Sequence, residues 1–360
     1  MSARLEIDRV ETAYGSVRVL KGVSLDVAPG EFVALLGSSG CGKTTLLRTI
    51  AGFLAASSGA IRVGGRDISG EPPDKRGMAM VFQSYALWPH MSVAQNIGYG
   101  LRLKKWPREK IAARVDDILA MLKLDGLGMR NVAQLSGGQR QRVALGRALA
   151  VDPSILLLDE PLSNLDARIR EDVRHEIKAL QKNLGITAIH VTHDREEAMV
   201  MADRIVILDA GTIAQVGPPE TIYNAPNSPF VAAFMGATNV VRLSGVRRGD
   251  SIDIAEGPGN RATTLRKAPP DGFERGELVA HFRSEAAELA DGASLDAGAL
   301  MLPGRIVQAS YPGGVWRYAV AVGDSQYMVD DPDRRELGSK VAVRVPAEAL
   351  HLYPAPVSRN

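Results

Sequence analysis

Gly37-Ser38-Ser39-Gly40-Cys41-Gly42-Lys43-Thr44-Thr45 satisfies the template G-x-x-x-x-G-K-[ST] at every fixed position. The apolar run before it, Phe32-Val33-Ala34-Leu35-Leu36, reads as a buried strand, and Leu46-Leu47-Arg48-Thr49-Ile50-Ala51 after it reads as a helix. Strand, glycine loop and helix in that order are the setting a phosphate-binding loop requires. Glycines let the loop wrap closely around phosphate oxygens, because they accept backbone angles that a Cβ forbids. Unpaired N–H groups in the first helical turn add a partial positive charge, worth about 0.3–1 kcal/mol per contact. Lys43 then supplies a full charge to the β- and γ-phosphates, and Thr44 a hydroxyl ligand for Mg²⁺.

Working outward, 360 residues suit two or three domains rather than one. Acids and bases nearly balance at a net charge of +2, which gives no bulk electrostatic reason to expect DNA, RNA or an anionic membrane surface as partner. Cys41 is the only cysteine, which excludes an internal disulfide framework and a cysteine-rich metal site and fits a reducing cytoplasm. The start, Met1-Ser2-Ala3-Arg4-Leu5-Glu6, is charged where a signal peptide needs an apolar run. No uninterrupted apolar stretch reaches the roughly 18 residues of a membrane span, so any membrane role is expected to run through another subunit.

Before the loop, alternation in Arg4–Val10 and Val17–Leu20 predicts antiparallel strands turning at Tyr14-Gly15. Tyr14 either stacks on a purine ring or packs on the sheet edge as a turn tyrosine. After it, Ala60–Val63 is strand-like, and Met78–Phe82 is expected to be a buried strand ending in Gln83, an amide placed to ligate Mg²⁺ or position water, or simply a polar strand end. Ser84 to Leu103, rich in Tyr, Trp, Pro, His and Met, is a surface subdomain whose aromatics form either a docking patch or a local core. Apolar residues at helical spacing predict a helix over Arg108 to Leu124. Ser136-Gly137-Gly138-Gln139 opens the next helix with Ser136 as N-cap, a second potential anion site that is also a common loop.

Ile155–Leu158 is a buried strand ending in Asp159-Glu160. Two carboxylates on such a strand, in a chain with a phosphate loop, invite a division of labour: Asp159 holds Mg²⁺ and Glu160 orients and deprotonates the attacking water. Ser163-Asn164-Leu165-Asp166 starts a helix closed by Gly185, with Ile169, Val173, Ile177, Leu180 and Leu184 on one face. The strand Thr187–Val191 ends at Thr192-His193-Asp194, where His193 is either a structural histidine or, at the same strand edge as the two carboxylates, a donor to a γ-phosphate. Arg204–Asp209 and Thr212–Val216 read as a hairpin, one more helix follows near Tyr223 to Phe234, and beyond Asn239 short β-like runs suit a small barrel.

Phosphate loop, glutamine-tipped strand, Leu135-Ser136-Gly137-Gly138-Gln139, acid-tipped strand, Ser163-Asn164-Leu165-Asp166 and histidine-tipped strand stand in this order over roughly residues 4–235. The chain thereby resembles the ATP-binding subunit of an ABC transporter, most closely the importer ATPases whose cassette precedes a β-rich tail, as in maltose, polyamine, ferric-iron and phosphonate uptake. The resemblance implies an α/β P-loop NTPase, an ABC ATPase cassette with antiparallel β and helical subdomains, followed by an all-β OB-like (TOBE) regulatory domain. The expected boundaries are 1–238 for the nucleotide-binding domain, with a helical subdomain at about 88–150, and 239–360 for the tail. Arg283-Ser284-Glu285 departs from the usual Arg-Pro-Glu of such tails, and Arg195 stands where Gln is frequent.

By resemblance, Tyr14 stacks on adenine, Gln83 senses Mg²⁺ and water, and Ser136 through Gln139 contact the γ-phosphate of ATP held by a second copy. The same resemblance implies a homodimer, two membrane-spanning permease subunits with a coupling helix near Ser84–His90 and Trp88 as anchor, an indirect solute-binding protein and no nucleic-acid partner. Its implied location is peripheral, on the cytoplasmic face of the bacterial inner membrane. A soluble ABC-type ATPase acting on DNA or ribosomes is the rival reading, without the paired cassettes, coiled-coil insertions or zinc cysteines such proteins carry; an exporter subunit is a third. Cys41 lies where an adduct would obstruct ATP, so it is either a thiol that nucleotide protects or a small residue that merely fits.

Overall fold

The computed structural model describes residues 2–291 and 298–355, and the chain divides into two units, Met1–Glu220 and Thr221–Asn360. In the first unit, β1 (Leu5–Tyr14) and β2 (Val17–Val27) form the hairpin expected from the alternating pattern. The fully buried β3 (Phe32–Gly37) runs through the glycine loop into α1 (Lys43–Ala51). β4 (Ser58–Val63) and the two-residue β5 (Arg66–Asp67) then complete a four-stranded antiparallel sheet in the order β2-β1-β4-β5.

A second sheet begins with β6 (Met78–Val81), after which the chain leaves for a run of helices: α2 (Val93–Ile97), α3 (Tyr99–Leu103), α4 (Arg108–Met121) and α5 (Gly137–Ala150). It returns through β7 (Ile155–Asp159), α6 (Ala167–Leu184), β8 (Thr187–Val191), α7 (Arg195–Met201), β9 (Arg204–Asp209) and β10 (Thr212–Gly217). The strand order is β10-β9-β3-β8-β7-β6, parallel throughout except for β10. Parallel strands need helical crossovers that cover the sheet, which is why β3, β7 and β8 are buried along their whole length. Leu47 and Ile50 of α1 share one core with Leu5, Leu20 and Ile61 of the antiparallel sheet and with Leu35, Leu157 and Ile189 of the parallel one.

Three expectations need correction. β6 is the edge strand, so Met78, Ala79 and Met80 are only half-buried, and it stops at Val81, leaving Gln83 in the turn beyond. The helix expected to run to Leu124 ends at Met121, and the chain turns through Lys123 at φ +55 so that Leu124 can bury. Leu184, at the end of the apolar stripe of α6, is exposed.

In the second unit, two helices stand where one was expected: α8 (Pro219–Asn224), which straddles the division, and α9 (Pro229–Phe234). The rest is strand: β11 (Asn239–Arg248), β12 (Ser251–Ile254), β13 (Thr263–Leu265), β14 (Arg275–Phe282), β15 (Glu288–Asp291), β16 (Ala299–Gly313), β17 (Val315–Val322), β18 (Ser325–Asp331), β19 (Lys340–Pro346) and β20 (His351–Pro354). They form two five-stranded antiparallel sheets, β13-β12-β11-β14-β20 and β15-β19-β16-β17-β18, over a common core that includes Leu243, Phe282, Leu302, Tyr318 and Val343. Strict alternation of buried and exposed residues in the first half of β11 shows the half-buried pattern that made these strands readable.

Candidate functional site

Parallel strands deliver all their C-terminal ends to one sheet edge, where ligands of open α/β sheets bind. There stand the glycine loop after β3, Gln83 past β6, Asp159 and Glu160 at the end of β7, and His193 past β8. A cleft of 470 Å³ opens among Ser39, Gly40, Gly42, Lys43, Thr44, Thr45, Glu160 and His193.

Neighbours fix the loop's shape. Gly37 sits at φ +155, where a Cβ would collide with the Leu208 carbonyl and Cys41 Sγ. Gly211, in the turn from β9 to β10, donates its N–H to Cys41 O at 3.1 Å and accepts from Lys21 N at 2.9 Å. A Cβ on Gly211 would strike Val19 O, so this glycine clamps loop and β2 together. It was not among the sequence candidates; its only signal was a turn between two apolar runs. Cys41 itself is buried and burial pushes its thiol pKa up, which favours the small residue that fits over the reactive thiol.

The loop also presents charge. Lys43 Nζ donates to Gly37 O at 2.8 Å and Ser38 O at 3.0 Å, holding a buried ammonium on carbonyl oxygens. The first helical bond of α1 is Leu46 N–H to Gly42 O at 2.8 Å, so the amides of Lys43, Thr44 and Thr45 have no helical acceptor. Thr44 Oγ1 donates to Asp159 Oδ1 at 3.2 Å. Burial raises the Asp159 pKa above the usual carboxylate range, an effect the Thr44 hydrogen bond offsets in part. A hydroxyl and a carboxylate oxygen are hard donors that suit Mg²⁺, which takes one or two protein oxygens and shares the remainder of its shell with phosphates and water. Among the described residues no cluster of three or more His, Cys, Asp and Glu offers a complete protein cage.

Glu160 is where the other candidates converge. Its backbone adopts φ +45, an uncommon conformation for a residue with a side chain, fixed by its N–H on Val191 O at 3.0 Å and by Ser163 Oγ donating to its carbonyl at 3.0 Å. Glu160 Oε2 lies 3.4 Å from Gln83 Nε2 and 3.3 Å from His193 Nδ1. Asn164 Nδ2 donates to Gln83 O at 2.8 Å, tying the edge-strand turn to the turn after Glu160. The sequence marks Ser163 and Asn164 as a helix start and as part of the motif order, but not their contacts, and that of Asn164 is made to a residue that the fold alone brings near.

Other candidates stand apart from the cleft. Tyr14, half-exposed at the end of β1, does not line it. Neither do Ser136 through Gln139, which begin α5 with a reciprocal capping box: Ser136 Oγ accepts Gln139 N–H at 3.3 Å and Gln139 Oε1 accepts Ser136 N–H at 3.0 Å. The aromatic segment divides between its two readings. Tyr85 points into the core with its backbone carbonyl held by Arg147 at 2.9 Å, whereas Trp88 is exposed and packs on Tyr99 with ring centroids 5.5 Å apart.

Residues 20–163 match the family model described as ABC transporter, and residues 282–352 match the TOBE domain. Over 349 residues, 97% of each chain, this protein is 40% identical to the spermidine/putrescine import ATP-binding protein PotA of Clostridium novyi. Over 357 residues, 98% of each chain, it is 41% identical to the sn-glycerol-3-phosphate import ATP-binding protein UgpC of Brucella abortus. Among solved structures, cbiO1 of Clostridium perfringens, part of the ABC transporter complex cbiONQ, superposes with a TM-score of 0.58 at 31% identity, over 61% of this chain and 90% of that one. Phosphate loop, convergent carboxylate and full-length kinship agree: the chain belongs to the ATP-binding subunits of ABC importers, an ATPase cassette followed by a TOBE domain.

Proposed function

We propose that two copies of this chain close head to tail on two ATP molecules, and that Glu160-assisted hydrolysis reopens them to drive solute import through two permease subunits. The observation that carries the reading is the placement of Glu160 beside the phosphate loop, with Gln83 and His193 both within 3.4 Å of one carboxylate oxygen. Lys43 and the free amides of α1 bind the phosphates. Thr44 and Asp159 would hold Mg²⁺, with Gln83 nearby as a further oxygen donor, and a bound ion would supply neutralisation of phosphate charge. Glu160 accepts the proton of the attacking water. A neutral imidazole has one N–H, so while His193 donates it from Nδ1 to Glu160 its Nε2 has none for a phosphate. Donation from Nε2 to the γ-phosphate therefore requires the other tautomer, in which Nδ1 has no proton for Glu160.

Ser136 through Gln139 form a capped helix start away from their own chain's cleft, with Ser136 exposed, which fits a role on the nucleotide of the other copy. Tyr14, exposed at the end of β1, is assigned to adenine, and Trp88 to the permease. Named relatives at nearly equal identity carry a polyamine and a glycerol phosphate in their names, cargoes of opposite charge. The solute is accordingly assigned as small and polar, chosen by the membrane subunits and a binding protein, with this chain peripheral on the cytoplasmic face.

The test is Glu160→Gln, which keeps size and hydrogen bonding but removes the base. ATP binding and ATP-dependent dimerisation should persist while hydrolysis falls at least about a hundredfold, the usual scale for loss of a general base. Unchanged turnover would remove Glu160 from the role.

A further inference from the structure

The turn that carries His193 is anchored to a buried carboxylate that the proposed hydrolysis leaves unused. Glu197, on α7, is 4% exposed. Its Oε2 accepts the Thr192 hydroxyl at 2.7 Å and stands 3.2 Å from Nε2 of His190, a buried residue of β8. The Thr192 hydroxyl in turn accepts Asp194 N–H at 3.0 Å, while Thr192 N–H donates to Leu35 O of β3 at 3.2 Å, so the backbone is tied down on both sides of His193. From α6, Arg170 Nη2 donates to Leu165 O at 3.0 Å, in the turn after Glu160, and Arg170 Nε lies 4.0 Å from Glu197 Oε1. The His193 side chain, by contrast, is 64% exposed and rests its Nδ1 3.3 Å from Glu160 Oε2. Burial works against an ionised Glu197, but hydrogen bonds to His190 and Thr192 hold its pKa below the ordinary carboxylate range. For packing alone, a methionine or leucine of similar size would fill the place without the cost of desolvating a charge.

We propose that Glu197 is a positioning residue for His193: acting through the Thr192 hydroxyl, it fixes the main chain from which the imidazole reaches the γ-phosphate. This rests on the reading of His193 as a donor to that phosphate. Because Thr192 and His190 converge on one oxygen of Glu197, an amide carbonyl in that place can keep both bonds, whereas an apolar side chain loses them.

The experiment measures Mg-ATP hydrolysis by the full-length chain and separates kcat from KM. Glu197→Met and Thr192→Val should each lower kcat about tenfold while KM for ATP changes by less than about twofold, the pattern of a contact made only in the transition state. Glu197→Gln and Thr192→Ser, which keep the acceptor and the hydroxyl, should recover most of that loss. His193→Ala should itself be slowed, and adding Glu197→Met or Thr192→Val to it should lower kcat no further, because the lost positioning then has nothing to position. Unchanged kcat in Thr192→Val, or losses that add in full to that of His193→Ala, would overturn the proposal and leave Glu197 a stabilising role; Thr192→Val decides it should Glu197→Met fail to fold. Full turnover in His193→Ala would instead remove the reading beneath it, and the proposal with it.

Discussion

Two clusters of buried charge, one in each unit, are built on opposite terms. At the nucleotide cleft Lys43 rests on two carbonyls and Asp159 on one hydroxyl, beside an open volume that could admit a ligand. In the second unit Arg283 is closed on every side: Nη2 donates to Tyr223 O at 2.8 Å, Nε to Met235 O at 3.3 Å and Nη1 to His351 Nε2 at 3.1 Å, with the guanidinium 3.6 Å from the centre of the Tyr223 ring. Burial, then the charge of Arg283, pushes the His351 pKa down to about 4, so the ring stays neutral and can accept. A charge held by neutral partners at a cleft marks a place for a ligand. The same charge enclosed by carbonyls, an imidazole and an aromatic face marks a structural joint.

The sharpest way to break this contrast is Lys43→Ala. It should weaken ATP binding by about a hundredfold, near 2.7 kcal/mol, the scale of losing a charge-assisted phosphate contact. Nucleotide affinity measured by calorimetry checks it, and a normal value would contradict the role given to the loop.

An effect of similar size is expected in the second unit when the pH is lowered. His351 has a folded pKa below its ordinary 6.5, so the unfolded chain takes up the proton first. Stability is full above about pH 6.5 and falls as the pH drops toward about 4, by roughly 2–3 kcal/mol. Urea midpoints followed by Trp316 fluorescence, with Trp88 and Trp106 replaced by Phe, should show the slope, and His351→Gln should flatten it. A flat profile in the parent chain would dissolve the joint.

The mildest prediction concerns Cys41. Because its thiol is buried and its pKa raised, alkylation at neutral pH should be at least about tenfold slower than for a free thiol, with or without ATP. Rapid labelling that ATP suppresses would return the thiol to the surface of the loop.

Much of the first unit was legible because its chemistry constrains local sequence. A loop that wraps phosphate needs glycine at fixed spacing, and a carboxylate delivered by a buried strand needs an apolar run before it, so Gly37–Thr45 and Asp159-Glu160 announce themselves. Gly211 and Asn164 did not, because each acts through a contact with a residue distant in sequence, Cys41 or Gln83, while the Ser163 bond to the Glu160 carbonyl is local but looks like any serine at a helix start. The edge position of β6 was hidden for a related reason, since Met78–Val81 is apolar enough for a central strand and strand order is a property of the whole sheet. Tyr85 and Trp88 look alike in sequence, and only the folded chain separates the buried ring from the exposed one. In the second unit alternation revealed the strands, while the Arg283–His351 joint links residues on β20 and just beyond β14 that no local pattern connects.

The account rests on each copy completing the other's nucleotide site, and sedimentation velocity with Mg-ATP tests that most directly. The Glu160→Gln chain should shift from monomer to dimer on adding ATP, and Ser136→Glu in the same background should bind ATP yet remain monomeric, because a carboxylate would then face the partner's γ-phosphate. Equal dimerisation with and without the Ser136 substitution would contradict the shared site.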